Sequence, residues 1–219
     1  MATTDFDHLY KVLLIGDARV GKTSFLTRYT KSSVSKTPAP TIGVEYCTKH
    51  IILKNGSVVK AQIWDTSGSE RYKSITTAHY RKSVGALLFF DLTDRTSYEN
   101  TLNWLKEIKT HAEDGIVVLL IGNKRDLVQE TPSARQVTEA EAKDFASKYG
   151  LFYRETSAKT GDNVKESFEY LVETIYEHQK ENQSEQETFE RHIADKLNIR
   201  LRNPENQTQK PAETGCCGQ

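Results

Sequence analysis

The 219-residue sequence has little of several features that define whole classes of protein. Its three cysteines are too few for a disulfide framework, and they fit a reducing, cytosolic compartment. Its 30 basic and 30 acidic residues cancel, so we expect neither a nucleic-acid surface nor a polybasic membrane patch. No apolar run is long enough to cross a bilayer, and the first residues, with Asp5, Asp7 and His8, are not typical of a signal peptide. With 37% hydrophobic residues, the chain can still build a core of ordinary size.

A glycine-containing loop between an apolar run and a helical stretch is the most informative segment. The run is residues 12–15, and the helical pattern begins near Ser24. Two glycines let the backbone curl so that successive N–H groups point at an anion, and the helix N-terminus adds positive charge there. We expect Lys22 to reach the outer phosphates of a nucleotide and the Thr23 hydroxyl to ligate Mg²⁺. The alternative is an ordinary glycine turn before a helix. The predicted phosphate-binding residues are Gly16, Asp17, Ala18, Arg19, Val20, Gly21, Lys22, Thr23 and Ser24.

Alternating strand and helix patterns predict an α/β fold with a mostly parallel six-stranded sheet and helices on both faces. Continuous apolar runs are typical of strands that are buried on both sides. Asn55 and Gly56 predict a tight hairpin. Helical spacing of apolar residues predicts helices over residues 24–31, near 102–112 and near 164–175. The predicted strands are residues 10–15, 44–53, 57–64, 85–90, 116–121 and 151–155.

The composition changes near residue 181, which divides the chain. We expect a short extension at residues 1–8, a domain at residues 9–180 and a tail at residues 181–219. Residues 183–219 are rich in Gln, Glu, Asn and Lys, which predicts a flexible tail. Phe189, Ile193 and Leu197 are spaced for one amphipathic helix within it, which is the alternative. Inside the domain, the polar residues 32–41 and 65–74 predict two loops.

Three further segments follow predicted strands and complement the glycine-containing loop. We expect the Asp65 carboxylate to hold Mg²⁺ through a water, and the N–H of Gly68 to meet a γ-phosphate. Asp126, in the segment with Asn123 and Lys124, can accept hydrogen bonds from the N1–H and 2-amino groups of guanine, neither of which adenine offers. A backbone N–H of the segment Ser157, Ala158 and Lys159 can reach guanine O6. Each segment alone also fits a capped helix or a turn, but together they predict a guanine-nucleotide site.

These motifs together resemble the Rab family of the Ras superfamily of small GTPases, which have the P-loop NTPase fold. The resemblance rests on residues 16–23, 40–43, 64–68, 123–126 and 155–159 and on the terminal Cys216 and Cys217. It implies a GTP hydrolase that switches between GTP and GDP states with Mg²⁺ bound. It also implies that the Thr41 hydroxyl joins the metal and its N–H the γ-phosphate, so that loss of this phosphate frees both loops. Residues 85–88 and 103–107 resemble the recycling-endosome branch.

The same resemblance implies a set of partners and a membrane anchor. Rab proteins are monomers that work with an exchange factor, a GTPase-activating protein, a GDP-dissociation inhibitor, a prenylation escort protein and effectors. Cys216 and Cys217 match the paired cysteines that receive geranylgeranyl groups. The expected location is the cytosolic face of endomembranes, in exchange with the cytosol.

Three departures from the family pattern bear on function. Ser69 occupies the position of the glutamine that orients the attacking water, which predicts very slow intrinsic hydrolysis; the alternative is a hydrolysis-deficient, GTP-bound scaffold. Lys22, Thr41 and Gly68 complete the expected catalytic set. Arg19 lies in the phosphate loop, where we expect it to point to solvent rather than to act as an arginine in cis. Of the three aromatic positions that Rab effectors contact, Tyr46 and Trp64 match and the third is His79; ordinary sheet packing is the alternative role for these rings.

Overall fold

The fold is built on one six-stranded sheet, seen in a computed structural model that describes residues 5–31, 44–66 and 80–201. Its strands lie in the order β2-β3-β1-β4-β5-β6. Only the pair β2 and β3 is antiparallel, and every other neighbouring pair is parallel, which confirms the predicted sheet. The strands are β1 (His8–Gly16), β2 (Val44–Ile52), β3 (Val58–Thr66), β4 (Gly85–Asp91), β5 (Val117–Asn123) and β6 (Phe152–Glu155).

Six helices accompany these strands in the described ranges. Their bounds are α1 (Lys22–Lys31), α2 (Arg95–Glu99), α3 (Thr101–His111), α4 (Arg125–Glu130), α5 (Glu139–Tyr149) and α6 (Val164–Leu201), with a short 3₁₀ turn at Pro132–Ala134. The sequence predicted α1, α3 and the first part of α6, but not α2, α4 or α5. None of the helices of the part that the structure describes is both long and apolar enough to span a bilayer.

Two hydrophobic cores cover the two faces of the sheet, because alternate residues of each strand point to opposite sides. On one face, Leu14 and Leu119 pack in a cluster with Phe25 of α1 and Phe168 of α6. On the other face, Leu88 belongs to a cluster with the side chains of α3 and α5. This double coverage explains why every residue of β4 and of β5 is buried.

The end of the chain differs from the prediction over residues 183–201. The chain divides into the compact units Met1–Tyr176 and Glu177–Gln219, and α6 continues through Leu201, where the sequence predicted a flexible tail. The alternative, a helical stretch around Phe189 and Ile193, agrees with this backbone, and both of these side chains are exposed. Residues 164–201 contain neither glycine nor proline and are rich in good helix formers such as Glu, Gln and Lys. Residues 202–219 lie outside the described ranges.

The topology brings five strand ends to one edge of the sheet. Strands β1, β3, β4, β5 and β6 run in the same direction, so their carboxyl ends meet there. The predicted hairpin is confirmed at the opposite edge, where Gly56 has φ of +90° and the Leu53 N–H donates to the Ser57 carbonyl over 2.9 Å. The candidate site residues therefore lie at the edge that ligands use in open α/β sheets.

Candidate functional site

The segment that joins β1 to α1, residues 16–23, has a backbone that favours glycine at Gly16 and Gly21. Gly16 and Gly21 have φ of +139° and +100°. A Cβ at Gly16 would lie 2.3 Å from the Phe89 carbonyl oxygen, and one at Gly21 would lie 2.3 Å from Asn123 Nδ2. A side chain at Gly16 would therefore collide with the backbone of β4, and one at Gly21 would displace the Asn123 amide.

Lys22 lies folded across this loop. Its Nζ donates to the carbonyl oxygens of Gly16, over 2.7 Å, and Asp17, over 2.8 Å. The side chain is buried, and this burial lowers the pKa of Lys22 to about 8, against the smaller opposing effects of the Asp65 and Asp17 carboxylates. An ammonium group held in this way is ready to meet anionic oxygens that enter the loop.

Two oxygen-bearing side chains meet beside Lys22. The Thr23 hydroxyl donates to Asp65 Oδ2 over 2.5 Å, and Asp65 is completely buried. The next residue, Thr66, donates to the Leu14 carbonyl over 2.8 Å, which fixes the end of β3 against β1. A hydroxyl and a carboxylate are the hard oxygen donors that Mg²⁺ prefers. Within the described ranges, no group of three or more His, Cys, Asp or Glu side chains converges on a metal position.

The segment after β5 holds a buried carboxylate. Asp126 is 5% exposed, and its Oδ1 accepts a hydrogen bond from the Ser157 hydroxyl over 2.6 Å. Lys159 Nζ lies 3.5 Å from the other oxygen, Oδ2. Lys124 has a left-handed backbone with φ of +66°, and its Nζ lies 2.6 Å from Asp91 Oδ2. The end of β4 and the segments after β5 and β6 are thus tied together by these contacts.

Asn123 connects this acidic segment to the glycine-containing loop. Its Nδ2 donates to the Val20 carbonyl over 2.8 Å, and its Oδ1 accepts from the Ala158 N–H over 3.2 Å. The Thr156 hydroxyl donates to the same oxygen over 3.2 Å. One buried amide therefore fixes the loop after β1 relative to the segments after β5 and β6.

Several residues that support the site were not predicted as site residues. Arg28 donates from Nε to the Ala158 carbonyl over 3.0 Å and from Nη2 to the Lys159 carbonyl, so α1 holds the segment after β6. The Asp17 carboxylate accepts hydrogen bonds from Asn100 and Trp104. These contacts join residues about 80 to 130 positions apart, and no local sequence pattern signals them.

A second support is an ion pair at the end of β6. Arg135 donates two hydrogen bonds to the Glu155 carboxylate, each over 2.8 Å, and the Tyr153 hydroxyl donates a third over 2.8 Å. Burial would raise the pKa of Glu155, but the bonds from Arg135 and Tyr153 hold that pKa below its usual value. The Glu155 carboxylate thus stays charged and braces the strand that leads into residues 157–159.

The remaining predicted residues are partly described. Ala18 and Arg19 are exposed, in keeping with the expectation that Arg19 points to solvent, and Ser24 is partly buried in α1. Tyr46 is exposed, and its ring centroid lies 5.1 Å from that of Trp64. The other predicted positions, Thr41, Gly68, Ser69, His79, Cys216 and Cys217, lie outside the described residues, as do most of the two predicted loops.

The sheet order, the glycine-containing loop and the converging strand ends define a P-loop GTPase fold. Comparison with known proteins agrees with this class, because the Ras family model matches residues 11–177. The Ras-related protein RGP2 of Oryza sativa subsp. japonica is 45% identical over 172 residues, which cover 78% of this chain and 77% of that protein.

Two further relatives are similar over a comparable share of the chain. The GTP-binding protein ypt3 of Schizosaccharomyces pombe is 44% identical over 172 residues, or 78% of each chain. The Ras-related protein YPT3 of Nicotiana plumbaginifolia is 46% identical over 175 residues, covering 80% of this chain and 78% of that protein. The chain belongs to the Ras family of small GTPases, and within it to the Rab proteins that its motifs resemble. It is accordingly a GTP hydrolase.

Proposed function

We propose that this protein is a Rab-type switch that binds GTP and GDP together with Mg²⁺, hydrolyses GTP slowly, and recruits effectors to membranes in vesicular traffic. The observation that best supports the proposal is the Asn123 amide, which joins the Val20 carbonyl to the Ala158 N–H. This connection fixes the distance between a phosphate-binding loop and a guanine-binding carboxylate. The phosphates and the guanine of one nucleotide can then be bound at the same time.

Residues 16–23 hold the phosphates in this proposal. Their N–H groups and the N-terminus of α1 offer partial positive charge, and Lys22 adds a full one. At the other end, Asp126 accepts from the N1–H and the 2-amino group of guanine, and Ser157 fixes the orientation of its carboxylate. A buried carboxylate facing adenine would have no such donors, so adenine nucleotides are rejected.

Magnesium fits the pair of oxygen donors that Thr23 and Asp65 provide. In this arrangement, Thr23 binds the ion through its hydroxyl, Asp65 holds it through a water, and Thr41 contributes from outside the described residues. The ion supplies positive charge that offsets the charge of the β- and γ-phosphates. Lys22, which is already beside Asp65, holds the same phosphates from the protein side.

Slow hydrolysis follows from Ser69, because a serine side chain is too short to orient water as glutamine does. We expect an intrinsic rate no higher than the order of 10⁻⁴ s⁻¹. Single-turnover hydrolysis of bound GTP tests this: Ser69→Gln should be faster than the wild type, and the control Ser69→Ala should be as slow as the wild type. Equal rates for the wild type and Ser69→Gln would refute the role given to Ser69.

Ser69 also favours a second candidate, a hydrolysis-deficient scaffold that stays in the GTP state and is controlled by nucleotide exchange. Rab-activating proteins as a class bring both an arginine and a glutamine to the site. An activating protein that raises GTP turnover would therefore support the cycling switch. Turnover that stays at the intrinsic rate with every activating protein that binds would support the scaffold.

Attachment to membranes is proposed through geranylgeranyl groups on Cys216 and Cys217. Two chains give stable anchoring where one gives marginal binding. A protein that moves between membrane and cytosol in this way would work with an exchange factor, a GDP-dissociation inhibitor and a prenylation escort protein. The particular membrane that we propose is endosomal. In cells, Cys216→Ser with Cys217→Ser should abolish membrane recruitment, whereas the control Cys47→Ser should keep it. Unchanged recruitment of the double variant would overturn the anchor.

A further inference from the structure

Asp17 is a residue of the loop that is proposed to hold phosphates, and it carries an acidic side chain. Its main-chain carbonyl accepts from Lys22 Nζ over 2.8 Å, so the residue is part of the loop's own hydrogen-bond network. A carboxylate that could turn toward a diphosphate would repel it. The position of this side chain therefore affects how well the loop holds an anion.

Both oxygens of this carboxylate are occupied by donors from outside the loop. Trp104 Nε1 donates to Asp17 Oδ1 over 2.6 Å, and Asn100 Nδ2 donates to Asp17 Oδ2 over 2.7 Å. Hydrogen bonds to an ionised group are roughly twice as strong as those between neutral groups. Neither donor carries a charge, so together they fix the direction of the carboxylate without neutralising it.

The two donors are themselves held rigidly. Asn100 joins α2 to α3: its N–H donates to the Thr96 carbonyl over 3.0 Å, and its carbonyl accepts from the Trp104 N–H over 3.2 Å. Trp104 is 7% exposed and packs in the core cluster beneath α3, together with Leu105 and Ile108. The hydrogen-bond donors therefore have little freedom to follow Asp17 if the loop moves.

We propose that Trp104 and Asn100 are positioning residues for nucleotide retention, which act by holding the Asp17 carboxylate so that the N–H groups of residues 16–23 stay directed at the phosphates. The inference rests on the proposed nucleotide site. It adds a role for α3, which contributes no residue of its own to the phosphates or to the guanine. Loss of either donor leaves the carboxylate held by one hydrogen bond instead of two, which loosens the loop and speeds nucleotide release.

The rate of release of a fluorescent GDP analogue, measured with saturating Mg²⁺ and excess unlabelled GDP, tests the proposal. Trp104→Phe keeps an aromatic ring and removes the N–H, and it should speed release about tenfold. Asn100→Asp keeps the shape of the side chain but sets a second carboxylate against Asp17, and it should speed release by more. Tyr98→Phe is the matched control: it also removes one donor from an aromatic ring, the one to the Glu141 carbonyl, and should leave the rate unchanged.

A double-mutant cycle separates positioning from general destabilisation. In an Asp17→Ala background, Trp104→Phe should add no further acceleration, because its acceptor is gone. Equal acceleration in both backgrounds, or release from Trp104→Phe and Asn100→Asp at the wild-type rate, would overturn the inference. If the wild-type protein binds no GDP at all, it is the proposed function that fails. If Trp104→Phe does not fold, Asn100→Asp gives the same test.

Discussion

The side chain of Lys22 shows how one residue combines a structural cost with a binding function. It is 5% exposed, and burial brings its pKa down to about 8, although Asp65 and Asp17 lie nearby. Burying an ammonium group is unfavourable unless it is well paired. The carbonyls of Gly16 and Asp17 pair it in part, and anionic phosphate oxygens would pair it much better. The cost of burial at this position thus favours the nucleotide-bound state.

This pKa predicts a pH dependence for GDP binding. In the proposed complex the charged form of Lys22 binds phosphate, so GDP binding should raise the pKa of Lys22. Well below pH 8 the amine is already protonated, so Lys22 adds no pH dependence to the affinity; above pH 8 binding must take up a proton, so this contribution should lower the affinity by up to tenfold per pH unit. Calorimetric titrations with GDP in two buffers of different ionisation enthalpy measure this proton directly. Proton uptake at pH 8.5 that exceeds the uptake at pH 7.5 is expected, and no uptake at pH 8.5 would contradict the assignment.

At the scale of elements, periodicity and composition predicted the parts of the chain that are long and apolar. The continuous runs that become β4 and β5 were predicted as buried strands, and they are buried throughout. The glycine-containing loop and the turn at Gly56 were predicted because positive φ angles require particular residues. These features are encoded within a few neighbouring residues, which is why the sequence alone reveals them.

Three helices, α2, α4 and α5, were not predicted from the sequence, and the reasons can be identified. Helices α2 and α4 have five and six residues, too few to show a helical period. Helix α5 carries a signal that sequence reasoning had available, a capping box in which the Thr138 hydroxyl accepts from the Glu141 N–H and the Glu141 carboxylate accepts from the Thr138 N–H. The links made by Asn123 and Arg28 were beyond prediction, because they depend on how distant strands and helices pack.

At the scale of the whole molecule, one edge of the sheet collects segments that are far apart in the sequence. The loop proposed to bind phosphates follows β1, the proposed metal ligand Asp65 lies near the end of β3, and the proposed guanine-binding segments follow β5 and β6. A nucleotide bound at this edge would contact most of these segments at once. Its binding would stabilise the domain as a unit, because a ligand that binds only the folded state raises the free energy of unfolding.

The central claim is that this edge recognises guanine through Asp126 and holds phosphates through residues 16–23. The most direct measurement is thermal unfolding of the nucleotide-depleted protein with Mg²⁺ and either GDP or ADP. At a concentration one hundred times its dissociation constant, GDP should raise the free energy of unfolding by about 2.7 kcal/mol. The same concentration of ADP should have no effect. Asp126→Asn should lose the response to GDP, whereas Asp114→Asn, which makes the same change at an exposed carboxylate, should keep it. Equal stabilisation by ADP and GDP, or by neither, would contradict the account.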